Sequence, residues 1–313
     1  MDLRDALDDL RDVPAAVAGT SLAGTRDVAA KGTGEVSCFR IASLSKSFTS
    51  TAVVLAMLSH GVPLDTFAKT LLPDLAADWQ ARADISVAHV LGQVTGLRES
   101  VTAANVAPLP LEEAARLVVR AGSERAPGDR WSYYNGNYFL AGAILSALDG
   151  TSFEKALATR LLEPWGMSRT GFGTPEKAVT GWDGREALPP IDYPPARRPS
   201  GGLWSSVPDL LSLGEGLLHD RNVLTAIRSR QTQEQDPMAY GLGWALGPSG
   251  QMYLNGRLPG YRAAMLLVPD REYVSVILTS QQQALPEAAR LLSDLQKPLT
   301  GDDLSAALDD FAA

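Results

Sequence analysis

The chain has 313 residues, of which 45% are hydrophobic and 20% charged, and its 28 Lys and Arg against 36 Asp and Glu leave a net charge of −8. A chain of this length can bury a sizeable core without disulfides or structural metal, and its charge argues against nucleic acid or an anionic membrane as the main partner. A single cysteine, Cys38, excludes an internal disulfide and a multi-cysteine metal site, and His60, His89 and His219 are scattered and form no HExxH pattern, so no metal or other cofactor is expected.

The N-terminal stretch from Met1 to Leu10 is acidic and amphipathic, with Leu3, Leu7 and Leu10 on one helical face. It has no basic segment leading into an apolar one, so no signal peptide is expected. No run approaches 18 apolar residues, and the expected location is the cytoplasm. Residues 13–36 are rich in Val, Ala, Gly and Thr and predict short strands with turns near Gly24 and Gly32. Residues 43–60 predict a helix that Gly61 can end, and its apolar residues cover more than one face, which places it inside the molecule. Further helical patterns fall at 85–92, 110–121, 137–148 and 153–162. Residues 170–200 are loop-rich, with Pro189, Pro190, Pro194, Pro195 and Pro199 close together. Another helix is expected from Ser206 to Leu218, with Ser205 or Ser206 as its N-cap. Beyond residue 240 the pattern turns to strands, at 250–254, 261–268 and 273–279, and then to a last amphipathic helix at 285–295.

Strands at both ends around a helical middle predict an α+β fold. The terminal segments, 1–60 and 201–313, would pair into an antiparallel sheet flanked by helices, and 61–200 would form a mostly helical subdomain. The cleft between two such units is the natural place for a site.

Three segments could carry chemistry there. In Phe39-Arg40-Ile41-Ala42-Ser43-Leu44-Ser45-Lys46, the Ser-x-x-Lys spacing puts the amine and the hydroxyl on one helical face. A serine hydroxyl needs a base to become a nucleophile, and a lysine can be that base only when burial or a neighbouring cation lowers its pKa. The spacing alone is weak, because Ser152-Phe153-Glu154-Lys155 repeats it; there Thr151 and Glu154 form a capping-box pattern instead. In Trp131-Ser132-Tyr133-Tyr134-Asn135-Gly136-Asn137, Tyr133 and Asn135 would share one side of an extended segment, and a phenol beside an ammonium could shuttle protons. The same residues also suit a surface loop in which Asn135 or Asn137 caps the next helix. In Tyr253-Leu254-Asn255-Gly256-Arg257-Leu258-Pro259-Gly260-Tyr261 a strand enters a Gly- and Pro-containing turn, which is either a close backbone approach to a ligand or simply a hairpin.

Taken together, these segments resemble the serine β-lactamase and penicillin-binding-protein family, in the class C-like branch that includes esterases, D-aminopeptidases and related amide hydrolases. The SxxK motif runs from Phe39 to Thr49 and the YxN motif is Ser132-Tyr133-Tyr134-Asn135. Supporting matches are Ile85 to Leu91 with Thr95-Gly96-Leu97, Leu162 to Met167, Ser200 to Ser205 and Tyr240 to Trp244, so that the resemblance covers residues 13–295. It implies a β-lactamase-like fold and a cofactor-free serine hydrolase that forms an acyl-enzyme on a small ester or amide. By position, Ser43 would be the nucleophile, Lys46 its proton acceptor and Tyr133 the proton exchanger. Asn135 would bond the substrate amide or orient Lys46, and the N–H groups of Ser43 and Arg257 would form the oxyanion hole. The third motif departs from the family pattern: Leu254-Asn255-Gly256 has Leu254 where Lys or His is usual. That substitution lowers the expectation of β-lactamase or transpeptidase action and leaves an apolar wall suited to an ester or a hydrophobic amide. Arg257 would either supply the missing cation or be an ordinary surface charge. The alternatives are an acyltransferase working through the same acyl-enzyme and a catalytically degenerate binding protein of the same fold.

Overall fold

The computed structural model describes residues 2–189 and 193–311; Pro190, one of the loop prolines, lies outside them. Eleven strands are named in chain order: β1 (Ala16–Leu22), β2 (Thr25–Lys31), β3 (Phe39–Arg40), β4 (Gly181–Asp183), β5 (Glu186–Leu188), β6 (Trp204–Ser205), β7 (Ala239–Tyr240), β8 (Ala245–Leu246), β9 (Met252–Leu258), β10 (Tyr261–Val268) and β11 (Tyr273–Thr279). Seven form one sheet in the order β2-β1-β11-β10-β9-β8-β7, while β3 pairs with β6 and β4 with β5. Every pairing between named strands is antiparallel. The N-terminal hairpin docks on the last strand, with Ala16 opposite Thr279 and Leu22 opposite Tyr273. Helices Val207–His219 and Leu285–Thr300 pack on this sheet, and both faces of β10 and β11 are buried, as their unbroken apolar runs require. None of the helices among the described residues is long and apolar enough to cross a membrane.

The helix at Ser45–Ser59 is buried on nearly every side and packs against Asn135–Asp149. Its all-round apolar character therefore marks the molecular interior. The Ser206 hydroxyl caps the Val207–His219 helix by accepting from the Asp209 N–H. Asp209 is itself buried and accepts from the Arg169 N–H and the Thr170 hydroxyl, tying the 169–170 turn to that helix.

Four local expectations are corrected. The second Ser-x-x-Lys copy does start a helix, but Ser152 is the cap, accepting from the Lys155 N–H, rather than Thr151 with Glu154. Neither Asn135 nor Asn137 caps the Asn135–Asp149 helix; its N-cap position is Tyr134, without a side-chain bond. β9 continues through Asn255-Gly256 to Leu258, and the turn falls at Pro259-Gly260, where Gly260 takes φ +79°. The 285–295 helix runs on to Thr300, and after Gly301 a further helix, Ser305–Asp310, follows. Cys38 is buried, with its sulfur against the carbonyls of Val36 and Arg169, and burial pushes the thiol pKa up.

Candidate active site

Strand β3 delivers the chain to Ile41, whose N–H bonds the Leu203 carbonyl. Ala42 then adopts φ +48°, a left-handed conformation that costs an L-residue energy, and begins a 3₁₀ turn, Ala42–Leu44, ahead of the Ser45–Ser59 helix. This sharp entry carries Ser43 at the head of the helix. The helix start is strapped to the segment 199–203: Thr49 donates to the Pro199 carbonyl, Lys46 to the Ser200 carbonyl at 2.7 Å, and the Ser45 hydroxyl accepts from the Leu203 N–H.

Ser43 Oγ lies 3.2 Å from Lys46 Nζ and 2.6 Å from Tyr133 Oη. Lys46 is fully buried, and its ammonium hangs 4.7 Å from the centroid of the Tyr133 ring and 5.5 Å from that of Tyr138. Burial, seconded by the positive charge of Arg197, holds its pKa well below the ordinary lysine value. Burial acts on Tyr133 in the opposite sense and raises its phenol, with the Ser43 bond only partly offsetting the rise. The phenol beside Lys46 is therefore less ready to ionise than an exposed one. Burial thus favours the neutral form of both groups, an amine able to take a proton and a phenol that keeps one.

The Tyr133 loop is held by a residue that the motifs did not single out. Gln93, at φ +61°, accepts on its backbone carbonyl from the Ser132 N–H at 3.0 Å and on its side-chain oxygen from the Tyr134 N–H at 3.1 Å. The same side-chain oxygen accepts from the Asn137 amide at 2.6 Å, and the Asn137 carbonyl oxygen accepts from Thr95 at 2.7 Å. Tyr133 is thus fixed on both sides along the backbone.

Asn135 is exposed in the first turn of its helix and makes no bond to Lys46, whose amine contacts Ser43 and Ser200 instead. Leu254 is fully buried. Gly256 brings β9 against the Ser43 turn: a Cβ there would stand 2.2 Å from the Ile41 carbonyl oxygen, so only glycine permits the approach. Asn255 donates to the carbonyls of Leu308 and Asp309, and the Arg257 guanidinium donates to the Asp309 carbonyl. Arg257 is accordingly engaged with the C-terminal segment and is neither a free surface charge nor an unoccupied cation.

The comparisons with known proteins agree with this architecture. The Beta-lactamase family model matches residues 7–296, and the chain belongs to that family. Among solved structures, a class C beta-lactamase superposes with a TM-score of 0.80 at 19% identity, covering 94% of this chain and 96% of its own. "EstCE1, a hydrolase with promiscuous acyltransferase activity" gives 0.75 at 20%, covering 90% and 92%. A D-aminopeptidase of Gluconobacter oxydans (strain 621H) is 26% identical over 273 residues, 80% of this chain and 51% of the relative. "Protein flp" of Staphylococcus aureus (strain N315) is 22% identical over 261 residues, 77% and 52% respectively. The chain spans about half the length of these curated relatives.

Proposed function

We propose that the chain is a serine hydrolase of the esterase or amidase kind, which forms an acyl-enzyme on Ser43 from a small ester or amide. The observation that carries the proposal is the placement of Ser43 Oγ within 3.2 Å of a buried amine and 2.6 Å of a half-buried phenol. In this reading the neutral Lys46 amine takes the Ser43 proton as Oγ bonds to the substrate carbonyl carbon, and the carbonyl π electrons move onto oxygen. The N–H of Ser43 at the helix head and the backbone N–H of Arg257 receive that oxyanion. The assignment of the second N–H is supported by the β9–β10 register. The two-residue hairpin closes at Leu258 opposite Tyr261, so alternate residues pair inward and Asn255 and Arg257 turn their backbone groups to the other edge. β8 covers that edge only at Met252 and Tyr253.

When the tetrahedral adduct collapses, the carbonyl re-forms, the bond to the leaving group breaks, and the proton held on Lys46 passes through the Tyr133 hydroxyl to the departing alcohol or amine. Water repeats the sequence on the acyl-enzyme. Asn135, exposed and uncommitted to Lys46, is assigned to the substrate amide. The substrate would lie in the cleft between the sheet unit, 1–60 and 201–313, and the helical unit, 61–200.

Incubation with a fluorophosphonate, followed by intact mass and peptide mapping, tests the assignment. Ser43 should carry the adduct, and Ser43→Ala should carry none and lose esterase turnover. An unlabelled Ser43, with Ser43→Ala as active as the parent, would refute it. Replacing water by an added alcohol or amine tells acyl transfer from hydrolysis by product, because both begin from the same acyl-enzyme. Loss of labelling in the parent itself would favour a binding protein of this fold.

A further inference from the structure

The C-terminal segment reaches the reactive centre. After the Leu285–Thr300 helix the chain reverses at Gly301 (φ +84°) and forms the helix Ser305–Asp310. Leu304 and Leu308 anchor that helix in the core. The carbonyls of Leu308 and Asp309 then take the side-chain donors of Asn255 and Arg257, the two residues whose backbone faces the open edge of β9. Phe311 follows, fully buried, with its ring edge-on to Tyr133 (centroids 6.0 Å apart, 88°) and stacked on Tyr240 (6.0 Å, 6°). Trp131 closes the cluster, 5.7 Å from Tyr240 and 6.4 Å from Tyr133, and its indole N–H is buried without a hydrogen-bond partner. The Tyr133 that receives the Phe311 ring is the residue whose hydroxyl touches Ser43.

We infer that the slot between Trp131, Tyr133 and Tyr240, together with the Asn255 and Arg257 donors, is a binding groove for a peptide-like amide bearing an aromatic side chain, and that residues 308–311 occupy it as the chain's own displaceable ligand. The inference rests on the hydrolase reading for the consequence of occupancy but not for the groove itself. Two successive backbone carbonyls on two side-chain donors, followed by an aromatic ring in an aromatic slot, are the contacts by which a short peptide is held. A core residue needs only the ring contact. The carbonyl acceptors belong to the backbone of residues 308 and 309, so any chain offering the same two acceptors and a ring competes for the groove. With its own segment seated, the Phe311 ring packs edge-on against Tyr133, and acyl donors larger than the remaining space meet a closed site.

The experiment uses the full chain. The probe is the blocked peptide of the chain's own residues 308–311, acetyl-Leu-Asp-Asp-Phe-amide, beside the same peptide with alanine in place of phenylalanine. Binding is read by titration calorimetry in a Ser43→Ala background, so that chemistry plays no part. Phe311→Ala should bind the phenylalanine peptide at least tenfold more tightly than the chain with Phe311 intact, and neither protein should bind the alanine peptide. With Ser43 present, Phe311→Ala should react with a bulky aromatic fluorophosphonate at least tenfold faster than the parent, and added peptide should restore the parent rate. Phe311→Leu, which keeps an apolar plug, guards against a folding defect and should fall between the two. Equal labelling of parent and variants with no peptide binding, or binding indifferent to the peptide's phenylalanine, overturns the inference. Peptide binding without labelling of any form upholds the groove and overturns the hydrolase reading instead.

Discussion

In the proposed mechanism Lys46 acts as the base because of where its amine is buried. A lysine in the unfolded chain titrates near 10.4, whereas here burial and Arg197 set the folded value well lower. Between the two values the unfolded chain holds a proton that the folded chain has released, so stability rises with pH across that window. Two outcomes follow. The acylation rate should climb with pH to a plateau as the amine loses its proton, with a midpoint below that of an ordinary lysine. No fall should follow from Tyr133, whose phenol burial has moved up. A stopped-flow pH profile checks this, and a rate that stays flat from mildly acidic to alkaline pH with chemistry limiting would count against Lys46 as base. Lys46→Met, which fills the same space without a charge to shed, should remove acylation yet stabilise the fold at neutral pH by about 1 kcal/mol. That advantage should shrink as pH approaches the unfolded value, as denaturant melts at several pH values would register.

At the scale of the element, the Tyr133 loop depends on Gln93. Gln93→Leu keeps the bulk but leaves the Tyr134 N–H and the Asn137 amide without their acceptor, at a cost of about 1–3 kcal/mol for each group that stays dry. The expected result is a lower melting temperature, with kcat reduced more than KM is raised because Tyr133 loses its placement; a change confined to stability would leave Gln93 structural only. Ser43, Lys46 and Tyr133, which the fold brings together, could be picked out in the sequence because each lies in a short motif, Ser-x-x-Lys or Tyr-x-Asn, although Tyr133 is 90 positions from Ser43. Gln93 could not, because its role comes from a left-handed backbone and contacts some 40 positions away, which no local pattern encodes. The Gly- and Pro-containing turn read in 253–261 falls at Pro259-Gly260, while Gly256 stays in the strand and serves strand-to-helix approach. The last helix left a signal that could have been found: Leu304, Leu308 and Phe311 recur at helical spacing within an otherwise acidic stretch.

Across the whole molecule, the α+β class and an antiparallel sheet shared by the two terminal segments followed from the order of strand-like and helical segments. Which strand the N-terminal hairpin joins did not, since Ala16 pairs with Thr279 at the far end of the chain, and neither did the seating of the last helix on Asn255, a contact 53 positions apart. Protection from exchange should be graded accordingly. In hydrogen exchange read by mass spectrometry, amides of β10 and β11, covered on both faces, should exchange last, and those of Ser305–Asp310 among the first; late exchange of that terminal helix would mark it as an integral part of the core. The burial of Cys38 has a practical corollary of its own. Its thiol is shielded and held in the protonated form, so the native surface offers maleimides nothing to react with. A probe attached through the exposed position Asn135→Cys would sit on a silent background, and its emission would report whether the terminal segment leaves and returns as inferred.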